Sequence, residues 1–275
     1  MNTAESLEPY APRFLSVTCG AGGTDDLSSD KSFEAIQSLR RSVDTNLAAH
    51  LTCVGRSKRE IDHRIREYAA AGIRRIVALR GDPPKGAGGF TPHPEGFANS
   101  IELIEALSET GKFKLRVGAY PDPHPEAADQ QANIDWLKRK FDAGADEALT
   151  QFFFEAETFL RFRDACVKAG IDKPITPGIL PILNWKSARN FATRCGTPVP
   201  AWLDEAFEAA IRKLPFILDC HLVAGDFDYF LKIRVRDMAD FNRLHGSQLI
   251  ALPGVRQTRT FFVMKEVVDG AALDF

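Results

Sequence analysis

The sequence has no basic tract and no acidic tail, and 35 Lys and Arg against 37 Asp and Glu leave a net charge of -2 over 275 residues. That balance excludes the electrostatic footprint by which a protein grips nucleic acid or an anionic membrane. A small molecule or another protein is the expected partner. No apolar run approaches the ~18 residues of a membrane span, and the opening MNTAESLEPYAPRF lacks a cationic start ahead of an apolar core. A cytoplasmic location is expected. The five cysteines (Cys19, Cys53, Cys166, Cys195, Cys220) are odd in number and scattered, with no CxxC pair. They read as reduced thiols, not as a disulfide framework. His50 and Cys53 have a spacing open to metal ligation, but no second pair completes a site and no metal is expected. The glycines of KGAGGF miss the GxGxxG spacing and carry no dinucleotide-binding signal.

What is present is an alternation. β-rich runs at 13–18, 47–53, 74–82, 114–120, 147–154 and 175–180 are separated by helix-length amphipathic segments. SKREIDHRIREYAAAG (57–72) and AETFLRFRDACVKAG (156–170) both end in glycine, as helix C-termini often do. Strands spaced by helices imply βαβ units and a parallel sheet. Periodicity leaves a doubly wound sheet and a (β/α) barrel equally open. In either, functional groups gather at strand C-termini, which selects Thr18, His50 with Cys53, Arg80 to Asp82, Tyr120 and Gln151 to Phe153.

After about residue 205 the texture changes. The strand-like runs 216–225, 228–237 and 258–267 enclose a helical MADFNRLHGSQLIAL, and the first two meet around AGDFD as a hairpin would. A small α+β unit is expected there. AWLDEAFEAAIRKLP (201–215) joins the two textures, with Leu203, Phe207, Ala210, Ile211 and Leu214 on one helical face.

Four segments can carry chemistry. ALRGDPP sets Arg80, Gly81 and Asp82 at the end of a buried strand, where two charges must bind each other or a ligand. GAYPDPHPEA places Tyr120 and His124 beyond a strand, suited to a bound ring or to a loop stiffened by proline. WLKRKFDAGAD carries Lys138, Arg139 and Lys140, either a solvated face or a phosphate clasp. LTQFFF ends an apolar strand on Gln151, whose amide needs partners from backbone or from a heterocycle.

SVTCGAGGT, AHLTCVG, RIVALRGDPP, GAYPDPHPEA, LKRKFDAGADEALTQFFF, RFRDACVKAGI and PGILPILNW together resemble the methylenetetrahydrofolate reductase family, in order, over about 7–206. The resemblance implies a flavin-binding (β/α)8 TIM barrel, here incomplete, with six of eight strands recognisable. It implies FAD as cofactor, held by Thr18, His50, Leu79, Arg80, Gly81, Asp82, Tyr120, His124, Arg139 and Lys140. Asp82 and Gln151 would be the catalytic positions, Asp82 tuning the flavin and Gln151 bonding the pterin. Phe191 would pack on substrate or nicotinamide. The implied reaction is reduction of 5,10-methylenetetrahydrofolate to 5-methyltetrahydrofolate with NAD(P)H, within one-carbon and methionine metabolism.

Departures from the family pattern accompany it. The first barrel strand, with its general-acid glutamate, and the last barrel strand are not found, and losing a general acid costs ~10²- to 10⁴-fold in rate. Trp136 replaces an asparagine, Asn133 an aspartate and Cys19 a tyrosine. Impaired turnover is therefore an expectation of the same reading.

The tail, about 206–275, resembles the effector-binding domain of Lrp/AsnC-type regulators through GDFDY, LPGV and TRTFFV. That implies a ferredoxin-like α+β unit over 206–275, after a barrel domain over 1–205, with an amino acid bound around Gly225, Asp226 and Asp228. The family's helix-turn-helix is absent, so nucleic-acid binding is not implied, while a homo-oligomer is. The alternative readings are an amino-acid-binding dimerisation module without its DNA-binding part, and a non-functional chimera.

Overall fold

The computed structural model describes residues 2–18, 27–82, 89–182, 185–222, 229–252, 255 and 258–261. It divides into two units, Met1–Ile179 and Leu180–Phe275.

After a short helix α1 (Asn2–Leu7), the first unit alternates β1 (Leu15–Val17), α2 (Leu27–Leu39), β2 (Leu47–Thr52), α3 (Lys58–Ala70), β3 (Arg75–Leu79), α4 (Ser100–Glu109), β4 (Lys114–Ala119), α5 (Gln130–Asp142), β5 (Glu147–Phe152), α6 (Ala156–Lys168) and β6 (Ile175–Gly178). Local chemistry sets the boundaries. Ser57 and Glu60 form a reciprocal capping box at the start of α3, and Asn99 and Asp129 cap α4 and α5 with their side chains. At the far end of α5, Gly144 takes φ +111°, and a Cβ there would lie 2.2 Å from Ser108 Oγ. Only glycine lets that turn leave the helix so close to α4.

The six strands pair in parallel in the order β1-β2-β3-β4-β5-β6. Sequential order without reversal is the wall of a barrel, whereas a doubly wound sheet would reverse at a switch point. The two architectures that periodicity left open are thereby separated. The unit is a half-barrel, TIM-barrel-like, of parallel strands with alternating helices.

Strand alternation then assigns two faces. Leu47, Ala49 and Leu51 of β2, Ile76 and Ala78 of β3, Leu115 and Val117 of β4, and Ala148 of β5 share one core with Ile61, Ile65 and Tyr68 of α3, Leu107 of α4, Leu137 of α5 and Phe162 of α6. Burying each large side chain contributes roughly 1.5–3 kcal/mol, so this layer between sheet and helices dominates the unit's stability. The intervening residues His50, Leu79, Arg116, Gly118, Glu147 and Gln151 lie on the opposite face, the interior face of a barrel wall. There the Arg116 guanidinium meets Glu147 at 2.9 Å, with side chains 5% and 9% exposed. The Thr176 hydroxyl donates to Glu147 at 2.6 Å, and the Phe14 ring centroid lies 4.0 Å from the guanidinium. The Glu147 carboxylate is thus held from two sides, whereas Arg116 rests on the ion pair and the ring, its Nη1 buried without a hydrogen-bond partner among the described residues.

The second unit contains α7 (Trp185–Cys195), α8 (Ala201–Ile211), the antiparallel pair β7 (Ile217–Leu222) and β8 (Tyr229–Ile233), α9 (Met238–Leu244) and a π-turn (His245–Leu249). Ile211, Leu249 and Leu252 form its core, with Leu214, Ile217, Cys220, Leu231 and Ile233 packed on them. The expected helix after residue 237 and the hairpin strands are present, but the third run has no strand at 258–261 and lies otherwise outside the described residues. Two strands among the described residues do not establish a ferredoxin-like unit. The joining segment 201–211 forms a single helix whose last residue, Ile211, is 3% exposed. No helix among the described residues is long and apolar enough to cross a membrane.

Candidate functional site at the strand C-termini of the half-barrel

The chain leaves β3 through Arg80 and Gly81. Gly81 takes φ +89°, and a Cβ there would lie 2.4 Å from Val54 Cγ1. Glycine is therefore required for the ends of β2 and β3 to close up. The Arg80 carbonyl accepts the N–H groups of Cys53 at 3.2 Å and Val54 at 2.9 Å. Its guanidinium donates twice to the Glu126 carboxylate, at 2.5 and 2.8 Å, and lies 4.7 Å from the Phe90 ring centroid. The bidentate bond raises the Arg80 pKa and, from the other side, lowers that of Glu126.

The loop after β4 is organised by the start of α5. Asn133 donates to the Tyr120 carbonyl at 2.8 Å, and Gln130 to the Pro121 carbonyl at 3.3 Å. The Gln130 amide oxygen is buried with no donor among the described residues. His124 stands edge-on to Tyr120, with ring centroids 4.7 Å apart, and its Nδ1 accepts the Glu126 N–H at 3.1 Å. That bond puts the proton of the neutral ring on Nε2. Burial lowers the His124 pKa and so favours the neutral form.

The LKRK run does not act as one patch. Lys140 is buried, donates Nζ–H to the Gly118 carbonyl at 2.7 Å, and is brought down to about 8 by desolvation and by Arg80. Arg139 instead lies over the Trp136 ring at 4.7 Å, and Lys138 donates to the Ala169 carbonyl at 2.9 Å. Successive helical positions differ by about 100°, which sends the three side chains apart.

His50, half-buried on the interior face of β2, is depressed to about 4 by burial. Cys53 belongs to the core on the helix side, so His50 and Cys53 do not converge as the HLTC spacing would allow. Gln151, half-buried on β5, accepts the N–H of Phe152 at 3.1 Å, the local backbone partner weighed for it. Leu79 borders Gly118, where a Cβ would be 3.6 Å from Leu79 Cδ2. Thr18 and Asp82 are exposed beyond β1 and β3.

Thr18, His50, Leu79 to Asp82, Tyr120, His124 and Gln151 therefore occupy strand ends, or the turns beyond them, in one sheet, and Lys140 reaches the β4 backbone from α5. Phe191 lies on α7 in the other unit, 39% exposed, with Arg194 5.7 Å from its ring centroid. Gly225, Asp226 and Asp228 lie outside the described residues. Sequence reasoning missed Glu126 and Gln130, and it named Asn133 only as a departure from the family pattern. Glu126 stands two residues beyond His124 in GAYPDPHPEA, but nothing in the sequence ties it to Arg80, 46 positions away.

The family model for methylenetetrahydrofolate reductase matches residues 1–215, and that for the Lrp/AsnC ligand binding domain matches 201–273. The two share 201–215, the segment that contains α8. The chain is 44% identical over 218 residues to 5,10-methylenetetrahydrofolate reductase of Salmonella typhimurium, covering 78% of this chain and 71% of that protein. The Escherichia coli enzyme gives the same identity and coverage. Methylenetetrahydrofolate reductase (NADH) 1 of Arabidopsis thaliana is 35% identical over 215 residues, covering 74% of this chain and 36% of that protein.

Proposed function

This chain belongs to the methylenetetrahydrofolate reductase family, and from that membership we propose that it reduces 5,10-methylenetetrahydrofolate to 5-methyltetrahydrofolate, with NAD(P)H as hydride donor and FAD as resident cofactor. The observation that carries the proposal is that Arg80, Lys140 and His124 interact at the strand ends of one half-barrel, whose sheet also carries His50 and Gln151. A flavin dinucleotide fits that set. Its anionic portion needs cations, and Lys140 is a buried ammonium with one carbonyl partner. Its hydroxyl-bearing chain needs acceptors, and the Gln130 amide oxygen is buried without a donor among the described residues.

When bound, the flavin supplies the hydride acceptance and donation that amino-acid side chains lack. The protein's residues supply the rest. Lys140 and Arg80 neutralise negative charge on the cofactor, and Thr18 and the Leu79–Asp82 turn line its length, with Arg139 at the α5 end. His50, held neutral by burial, contacts the ligand without adding charge. Tyr120 and His124 offer an edge-on ring pair for packing. The Asp82 carboxylate tunes ring electronics, and Gln151 presents an amide donor and acceptor to the pterin. Net reduction consumes one hydride and one proton.

The proposed division is a flavin-binding half-barrel over 1–205 and an effector-binding unit over 206–275. A second reading, favoured by the Lrp/AsnC ligand binding match, is that the tail binds an amino acid around Gly225, Asp226 and Asp228 and pairs chains into a homo-oligomer. A cytoplasmic site in one-carbon and methionine metabolism completes the proposal. Titration with FAD, followed by reduction with NADH under anaerobic conditions, tests the reductase reading. Heat of binding on adding leucine, with none on adding FAD, would favour the second reading instead.

A further inference from the structure

The sequence contains the triplet His-Pro-Glu twice, at 93–95 in the loop after β3 and at 124–126 in the loop after β4. Both copies adopt the same turn. Glu95 N–H donates to His93 Nδ1 and Glu126 N–H to His124 Nδ1, each at 3.1 Å. The next N–H, of Gly96 or Ala127, closes on the histidine carbonyl at 2.8 Å. Each turn leads to a side-chain N-cap, Asn99 for α4 and Asp129 for α5. The two differ in the glutamate side chain. Glu126 grips Arg80 with two hydrogen bonds, whereas no ion pair of this kind joins Glu95 among the described residues.

We propose that Glu126 is a positioning residue of the flavin site, locking the Arg80 guanidinium from the neighbouring loop after β4 while its own N–H fixes the His124 tautomer. The inference rests on the flavoprotein reading for its ligand, though not for its geometry. The lock has three parts in the protein itself. Cys53 and Val54 hold the Arg80 backbone, the Phe90 ring flanks the guanidinium, and Glu126 accepts both of its terminal nitrogens. A bidentate fork fixes orientation as well as charge, which a single hydrogen bond does not. An arginine already ordered before the cofactor arrives loses less side-chain freedom on binding it. One residue thereby couples the ends of β3 and β4, the two strands whose turns carry most of the proposed flavin contacts.

The test compares wild type with Glu126→Gln, Glu126→Asp and Glu95→Gln by two measurements on the full chain. The first is NMR of the Arg80 guanidinium without flavin; the second is the FAD dissociation constant by fluorescence quenching. The wild-type guanidinium should rotate slowly, and Glu126→Gln should free it and weaken FAD about 10-fold. Glu126→Asp should recover part of both effects, and Glu95→Gln should change neither. A mobile Arg80 in the wild type, or equal FAD affinity in wild type and Glu126→Gln, overturns the inference. A slowly rotating Arg80 with no FAD binding by wild type instead contradicts the flavoprotein reading and limits Glu126 to ordering Arg80.

Discussion

Lys140 Nζ donates to the carbonyl of Gly118 at 2.7 Å, bringing an ammonium from α5 to the backbone of β4. Burial and the nearby Arg80 lower its pKa from 10.5 to about 8. In the unfolded chain the group binds its proton up to the ordinary value, so between about 8 and 10.5 the unfolded state holds more protons than the native one. Native stability must rise with pH across that window, by up to about 3 kcal/mol. Lys140→Met should abolish the rise, as read by urea denaturation across the window. A bound anion favours the charged form, so FAD affinity should fall as pH passes through about 8 in wild type and not in the variant.

His50 works in the acid range. Its pKa falls from 6.5 to about 4 through burial alone, so the unfolded chain takes up a proton that the native protein refuses. Stability is lost as pH falls from 6.5 towards 4, by up to about 3 kcal/mol. His50→Gln should flatten that acid limb. Chemical denaturation at about pH 7 and about pH 4.5 reads the difference between the two proteins.

Gly81 tests the closure of the β2 and β3 ends. Alanine would combine a positive φ with a Cβ 2.4 Å from Val54 Cγ1. The expected cost is roughly 2–4 kcal/mol from backbone strain and overpacking together. Gly81→Ala with Val54→Ala should recover the packing share and leave the strain, which a double-mutant cycle on thermal stability resolves.

The Arg116–Glu147 pair tests how the interior face tolerates charge. Glu147→Ala leaves a guanidinium that is 5% exposed without its carboxylate, and should cost about 3–5 kcal/mol. Replacing both residues together, as Arg116→Met with Glu147→Leu, should cost far less than the single change. Equal losses would show that the carboxylate acts through Thr176 and not through Arg116.

The strands of the half-barrel were legible because each is a short β-rich run flanked by helices with polar caps. The 147–154 run, for example, contains β5 at Glu147–Phe152, and 57–72 contains α3 at Lys58–Ala70. Barrel against doubly wound order was not legible in periodicity, which fixes which face of a strand is apolar but not which strand lies beside it, and only the family resemblance implied the barrel. At the site, the strand-end rule located Arg80, Tyr120 and Gln151. The grouping of Arg139 with Lys140 came from adjacency in sequence, and helical geometry separates them, Arg139 onto Trp136 and Lys140 onto Gly118. Glu126 was hidden because its partner is non-local. The 201–215 segment was legible as an amphipathic helix, and its Ile211 buries in the second unit's core.

The central claim is hydride transfer through a flavin held by this chain, and one anaerobic spectrophotometric titration tests it most directly. The full chain loaded with FAD should retain the oxidised flavin's visible band after removal of free cofactor, lose it on adding NADH, and regain it in proportion to added 5,10-methylenetetrahydrofolate. A chain that retains no flavin band, or a reduced band that the folate does not restore, would contradict the account.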